Sequence, residues 1–368
     1  MAQSLVIDRP QAPTRRALSM TQRRRLLKGF AAAFMVIYAI LTLFPFYALL
    51  VRSFVSTKDA VELHLWIPKA EELSLDAQIG NLSVFYSLDM NKIKADLGIP
   101  PGDFLMSRTP LRTIAQDYNI PEERLRDYFA GYYTYNGWLS LLNDSEFWGS
   151  LARTILLVCA SLIGITILSI FTGYGLAGLR RRDQMAIYNL YLLQMVIPSM
   201  LIILPQFMVI QWLLSLFPGS DQPGMVRWSL QFLGLILINI KGTALSTMIM
   251  TSAISGIPQD LQDSAQIDGA SHWQYIRYIL FPLLKVPVVS LIVIMLPLFW
   301  NLFLEPYVYL DPNVGTLIPL TYSMQGAYRT NFQMVYASVL ASILPLALVY
   351  LVFRRFFIHG VLSGAIKG

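Results

Sequence analysis

The chain of 368 residues has one cysteine, three histidines, and only 14% of Asp, Glu, Lys and Arg together. A lone Cys159 excludes an intrachain disulfide, and His64, His272 and His359 are too scattered to complete a metal cluster with it. The patterns H-E-x-x-H, G-x-x-x-x-G-K-[ST] and G-x-S-x-G are all missing, so the chain carries no sign of a zinc hydrolase helix, a phosphate-binding loop or a serine elbow. Energy from ATP would have to come from another chain. Scarce charge also argues against a soluble domain: 55% of residues are hydrophobic, gathered in runs long enough to cross a bilayer. The net charge of +6 concentrates at the ends of those runs, which reads as membrane topology rather than a nucleic-acid surface.

Taken in order, residues 1–29 form a basic tail with Arg23, Arg24, Arg25 and Lys28. The apolar run 30–51 lacks a small-residue cleavage site and reads as a first span with a cytoplasmic N-terminus. Residues 52–147 hold 14 of the 22 acidic residues and read as a small helical, extracytoplasmic insertion. Within it Ile93-x-x-Asp96-x-x-Ile99-Pro100 returns 21 positions later as Ile114-x-x-Asp117-x-x-Ile120-Pro121. Each copy predicts a short helix, a turn and a proline-started helix. The stretch 113–129 has a superficial helix-turn-helix look, but an outside location excludes DNA. Tyr132, Tyr133, Tyr135 and Trp138 suit a return to the membrane interface. Five further runs, 151–179, 185–214, 230–255, 286–310 and 333–358, complete six spans, within a core at 148–358 and before a short tail at 359–368. Arg180-Arg181-Arg182 and Arg354-Arg355 fall on the side assigned to the cytoplasm, whereas the short outer loops hold only Arg227 and Arg329. Both termini are therefore expected inside. Pro198, Pro205, Pro297 and Pro345 lie within these runs and read as kinks.

The polar loop 257–287 is punctuated for two short helices. Pro258 suits a first helical turn, Asp260 and Asp263 place negative charge near its positive end, Asp268-Gly269 is a turn dipeptide, and Ser271 can cap a second helix. Trp273, Ile276 and Leu280 are expected on one face of that helix. These residues resemble the coupling loop of permease subunits of binding-protein-dependent ABC importers, I-P-x-x-L-x-E-A-A-x-x-D-G-A followed by L-P-x-x-x-P. Ile257, Pro258, Leu261, Ala265, Asp268, Gly269, Ala270, Pro282 and Pro287 match, while Asp263, Ser264 and Phe281 depart from the pattern. Trp300-Asn301-x-Phe303, Asp311-Pro312, Thr316-Leu317, Ala337-Ser338 and the ending Gly360-x-x-x-Gly364-Ala365-x-Lys367-Gly368 resemble the sugar-importer, maltose-type branch, with Leu302 in place of its common Glu. The insertion at 52–147 is not typical of that subunit.

The resemblance implies an all-α polytopic protein of the type I ABC importer permease fold in a prokaryotic inner membrane. It implies a second homologous permease, an ABC ATPase dimer holding ATP and magnesium, an extracytoplasmic solute-binding protein, and no cofactor on this chain. Asp263, Ser264, Ala265, Asp268, Gly269, Ala270 and Trp273 would couple to the ATPase, and Gly364, Ala365 and Lys367 would reach between the two ATPases. Independently of the resemblance, Asn239, Lys241, Trp300, Asn301 and Glu305 are the polar or amphipathic span residues of interest, and polar groups in lipid face a cavity or a partner. Lys241 either lines a solute path or is fixed by an acidic or carbonyl partner; Glu305 is either interfacial or path-lining; Trp300 is a packing residue or a sugar platform. An amino-acid or peptide permease, a polytopic membrane transferase and a passive channel are the competing functions. The last two lack, respectively, a cluster of Asp, His or Arg at a span mouth and a repeated pore motif.

Overall fold

The computed structural model describes residues 20–55, 65–66, 74–85, 88–219, 222–241, 243–324 and 332–365, with no side chains described at 22, 84–85, 130–136 and 354–365. Residues 1–49 and 50–368 form two separate compact units. The first contains most of α1, Met20–Arg52, whose Phe30, Phe34, Met35, Ile37 and Leu41 are exposed apolar side chains suited to lipid.

The second unit begins, beyond α1, with the insertion: α2 (Ile79–Phe85), α3 (Met90–Leu97), α4 (Leu111–Asp117) and α5 (Glu122–Leu142). Its core is Ile79, Ile93, Leu97, Ile99, Leu111, Ile114, Ile120, Leu125 and Phe129. The 21-residue repeat is a structural one. Gly98 and Asn119 both adopt left-handed φ, +74° and +52°, within two residues of the ends of their helices. The next N–H reaches back five residues in each copy, from Ile99 to the Lys94 carbonyl (2.8 Å) and from Ile120 to that of Ala115 (2.9 Å). Each terminal Ile is thereby turned into the core. The copies diverge after the proline. Pro121 starts α5, with Glu122 and Glu123 in its first turn. Pro100 starts no helix, because Pro101 holds it extended and Gly102 follows. There the chain turns and is pinned at Asp103 by Lys94 Nζ (2.7 Å to the carbonyl) and the Tyr118 hydroxyl (3.1 Å to Oδ2).

Only Asn143 and Asp144 separate α5 from α6, Ser145–Ala177, which Asp144 caps by accepting from the Glu146 N–H (2.9 Å). Next come α7 (Arg181–Val196), α8 (Ser199–Ser215), α9 (Met225–Ile240), α10 (Ala244–Ser255), α11 (Gln259–Ile267) and α12 (His272–Tyr275). A π-turn, Ile276–Leu280, leads into α13 (Phe281–Leu283), followed by α14 (Lys285–Trp300), α15 (Leu304–Tyr309), α16 (Leu317–Ser323) and α17 (Phe332–Ala365). One core joins α6, α10, α12, α14 and α17, and a second joins α6, α8, α9 and α15.

Three helices are long and apolar enough to cross a membrane unaided among the described residues: Arg23–Arg52 of α1, α6, and Phe332–Phe353 of α17. Three bent pairs also qualify, giving up to six crossings if each pair counts as one. The runs 185–214, 230–255 and 286–310, expected as single spans, are each interrupted. At the first, α7 and α8 meet at 97°, because the proline at 198 forces Ile197 into an extended conformation (φ −80°, ψ 116°). Pro198 thus marks a break rather than a kink. The second breaks between Lys241 and Thr243 at 52°, where Thr243 and Ser246 form a capping box that restarts the helix. The fifth run ends at Trp300, with α15 as a separate short helix, and α14 meets the helix before it at 66°. The sixth continues beyond 358 to Ala365, because no proline stops it and its apolar pattern persists.

Candidate functional site

The loop after α10 folds as a helical hairpin. Pro258 precedes α11, and Asp260 lies in its first turn. The corner is Gly269, at φ +77°, closed by the Ala270 N–H on the Ala265 carbonyl (2.9 Å) and the Gly269 N–H on Gln266 (3.0 Å). Ser271 then caps α12: its Oγ accepts from the Gln274 N–H (3.3 Å), and its own N–H donates to Gln274 Oε1 (2.6 Å).

The hairpin has two faces. Asp263, Ser264, Asp268 and Gly269 are exposed, with Ile267 at 86% and Trp273 at 57%. This is a surface of two carboxylates flanked by two large apolar side chains, a composition suited to a protein partner. Ala265 is different. Only 6% exposed, it belongs to the chain's own core with Tyr275, Ile276 and Leu280, and half-buried Ala270 packs against the same core. The two alanines were expected to allow close approach, and within this chain their small size serves the packing of the hairpin against the core. Trp273 leaves the face it was assigned. Tyr275 is buried beside Ile276 and Leu280 instead, and a π-turn follows, for which a 3.6-residue repeat does not hold.

Where the hairpin joins the spanning helices, one tyrosine meets its second arm. The Tyr174 hydroxyl, near the C-terminal end of α6, lies 2.7 Å from His272 Nε2 on α12, with Gln262 of α11 alongside in the same cleft. Its ring lies edge-on to His272 at 5.6 Å and 6.5 Å from that of Tyr275. These groups border a cleft of about 890 Å³ between the ends of α6 and α10 and the hairpin, lined also by Gly178, Ser255 and Gln259. Sequence reasoning missed Tyr174, Gln262 and this use of His272. Residues 98 positions apart with no shared motif carry no local signal.

The five residues considered for the solute path separate. Asn239 is buried and donates to Ser161 Oγ (3.2 Å), joining α9 to α6. Trp300 is buried, and its indole N–H donates to the Ser342 carbonyl (3.0 Å). Asn301 donates from Nδ2 to the Pro297 carbonyl (2.9 Å), ending α14. These three side chains hold the fold. Lys241 is exposed at the end of α9, in a groove of about 490 Å³ between α8 and α9 that Gln206 also lines. Glu305 of α15 lies within electrostatic reach of Lys241, so an acidic group stands near it. Tyr309 fixes α15 there by donating to Gln206 Oε1 (2.9 Å) and the Ile203 carbonyl (3.2 Å). Gly364 and Ala365 fall in the last turn of α17, where side chains are not described, and Lys367 lies outside the described residues.

Known proteins share this pattern. The multiple sugar-binding transport system permease protein MsmG of Streptococcus mutans is 25% identical over 265 residues, covering 69% of this chain and 90% of its own length. The arabinooligosaccharides transport system permease protein AraQ of Bacillus subtilis is 28% identical over 210 residues, 55% of this chain and 69% of its own. A crystal structure of a bacterial ABC transporter involved in the import of the acidic polysaccharide alginate contains a chain of the same fold. Its TM-score is 0.61 at 16% identity, covering 93% of this chain and 99% of that one. That coverage cannot be reached without most of residues 52–147, so a similarly placed segment exists in the neighbour. Residues 165–361, more than half the chain and including the whole hairpin, match the family model directly. The chain belongs to the family of binding-protein-dependent transport system inner membrane components.

Proposed function

We propose that the protein is the transmembrane permease subunit of an ATP-driven importer of a sugar or oligosaccharide, working by alternating access. The family match supports the permease role, and relatives named for transport of multiple sugars and arabinooligosaccharides support the solute class. If each bent pair is one span, six crossings leave both ends on the same side; the basic residues at the ends of the runs support assigning that side to the cytoplasm and the insertion at 52–147 to the outside, where a solute-binding protein approaches. A second permease subunit and a pair of ATPases complete the assembly, with ATP and magnesium held by the ATPases.

One observation carries the reading: the outer face of the hairpin, Asp263, Ser264, Ile267, Asp268 and Trp273, is exposed while its inner face is built into the core of the spans. A partner bound there pushes on the membrane helices without unfolding anything. The C-terminal Gly364, Ala365 and Lys367 are assigned to the groove between the ATPases on the family resemblance alone. Among path residues the reading keeps Lys241 and Glu305.

Co-expression with the neighbouring permease and ATPase genes tests it. Vanadate-sensitive ATPase activity in the purified complex, with uptake into proteoliposomes of labelled oligosaccharides from a panel that includes amino acids and dipeptides, is the expected result. Uptake of an amino acid or peptide alone would move the chain to the other importer branch; a chain that retains no ATPase would end the importer reading. For topology, with Cys159→Ser as background, a cysteine at Gln116 should react with an impermeant maleimide on intact cells, and one at Gln274 should not. Labelling at Gln274 would reverse the orientation.

A further inference from the structure

We infer that the Tyr174 hydroxyl is the latch that makes the coupling hairpin and spanning helix α6 move as one body. This rests on the ATPase-coupling reading of the hairpin and deepens it: it names the residue through which a push on the hairpin enters the membrane helices. Four observations carry it.

The first is the hydrogen bond itself: the Tyr174 hydroxyl of α6 lies 2.7 Å from His272 Nε2 on α12. In the tautomer that leaves Nε2 as the acceptor, the phenol O–H donates to it. The second is the cleft. With about 890 Å³ of open space bordering Tyr174, the hairpin is not wedged against α6 on that side by close packing, so a directional bond matters more there than in a filled core. The third is what α6 carries. It runs unbroken from Ser145 to Ala177 and packs against α9, α10, α14 and α16, so its displacement is shared by much of the spanning unit. The fourth is the amphipathic chemistry of the pair. Tyr174 and His272 also meet edge to face, so removing only the hydroxyl leaves the aromatic contact in place.

Tyr174 is thus a positioning residue. It touches neither solute nor nucleotide, and its role is to keep two bodies in register while the ATPases close and open.

The only cysteine supplies the probe. Cys159 lies on α6, exposed, about 22 Å of helix from Tyr174 at 1.5 Å per residue. A second cysteine at exposed Gln266 on α11 gives a spin-label pair that reports the α6–hairpin distance by pulsed EPR. The full complex is measured in nanodiscs, nucleotide-free and trapped with ATP and vanadate. With Tyr174 intact, the expected result is one narrow distance, the same in both states. With Tyr174→Phe, and equally with His272→Ala, the complex should still assemble and hydrolyse ATP, but the distance should broaden or shift by several ångströms on trapping. His272→Gln, which keeps a hydrogen-bonding amide, should behave like the unaltered chain. The inference is overturned if Tyr174→Phe shows the unaltered invariance, if the unaltered distance itself changes on trapping, or if Tyr174→Phe simply prevents assembly. Failure of the underlying reading looks different: the unaltered chain would then copurify with no vanadate-sensitive ATPase at all.

Discussion

Substituting Gly269 separates the shape of the hairpin from its contacts. At φ +77° the residue occupies the left-handed region, and an added Cβ would meet nothing within 4 Å. Space is therefore not the issue, and the penalty is set by backbone conformation alone. For an ordinary L-residue the left-handed region costs roughly 1–2 kcal/mol, a factor of about 5–30 in the population of the correct turn. Asn, which adopts this conformation more readily than other non-glycine residues, should cost only a few tenths. Val, with its branched Cβ, should cost more than Ala. The predicted order of lost ATPase affinity is Asn, then Ala at up to about 30-fold, then Val. Titrating purified ATPase onto permease variants in nanodiscs measures it, with expression and membrane insertion unchanged throughout. If Gly269→Asn is as damaging as Gly269→Val, the partner touches this position directly and the argument from φ is wrong. If Gly269→Ala binds normally, the turn is not what positions the docking face.

Three further outcomes follow from the geometry. Gly137 on α5 lies so close to α17 that an added Cβ would sit 2.6 Å from the Gln333 carbonyl carbon; Gly137→Leu should lower stability by about 1–3 kcal/mol, and an unchanged thermal midpoint would refute the close-packed seam. In the insertion, Asn119 at φ +52° matches Gly98 of the other copy. Asn119→Gly should leave its thermal unfolding near normal while Asn119→Val costs about 1–2 kcal/mol or more, and equal effects would remove the repeat's structural meaning. For Lys241 and Glu305, a double-mutant cycle of Lys241→Met and Glu305→Gln decides between partner and path. If the two groups stabilise each other, the double variant assembles better than the sum of the singles suggests; if Lys241 meets solute, Lys241→Met alters uptake whether or not Glu305 is present.

The hairpin was legible because its signals are local. Pro258, Asp260, Gly269 and Ser271 each act within four residues of themselves, through capping, dipole and φ preference, and the structure uses them in those ways. The repeat at Ile93 and Ile114 was legible for the same reason, since a helix end, a left-handed residue and a buried Ile fit in eight positions. What stayed hidden depends on separation in the chain. Hydropathy marked apolar runs but not the break at Pro198, because a proline inside a run is compatible with either a kink or a turn of 97°. The roles of Asn239 and Trp300 stayed open in the sequence because polarity in a span says that a partner exists, not whether it is solute or a neighbouring helix. Ser161 and the Ser342 carbonyl are those partners, 78 and 42 positions away. The burial of Ala265 was hidden because the pattern that contains it does not say which side of a nine-residue helix faces the core.

The distribution of tight seams and broken helices narrows where this unit can bend. An added Cβ at Gly173 of α6 would lie 2.9 Å from Met250 Cβ and 3.0 Å from the Thr251 nitrogen, so α6 and α10 meet almost backbone to backbone. Surfaces packed that closely move as a block, because sliding would need them first to lift apart. Trp300 bonded to the Ser342 carbonyl ties α14 to α17 in the same way, and Gly137 ties α5 to α17. The breaks are elsewhere. At Ile197–Pro198 and between Lys241 and Thr243 one helix has ended before the next begins, so a change of φ and ψ there disturbs less of the i to i−4 ladder than one inside a helix. On the proposed coupling, a load applied at the hairpin would reach the spans through Tyr174 and the α6–α10 seam, and the freedom to answer it would lie at those interruptions. Lys241 sits at one of them, beside the groove between α8 and α9. The single exposed cation of that groove is thus placed where a change of helix angle alters its distance to Glu305, which makes the end of α9 the point at which hairpin movement and groove chemistry meet.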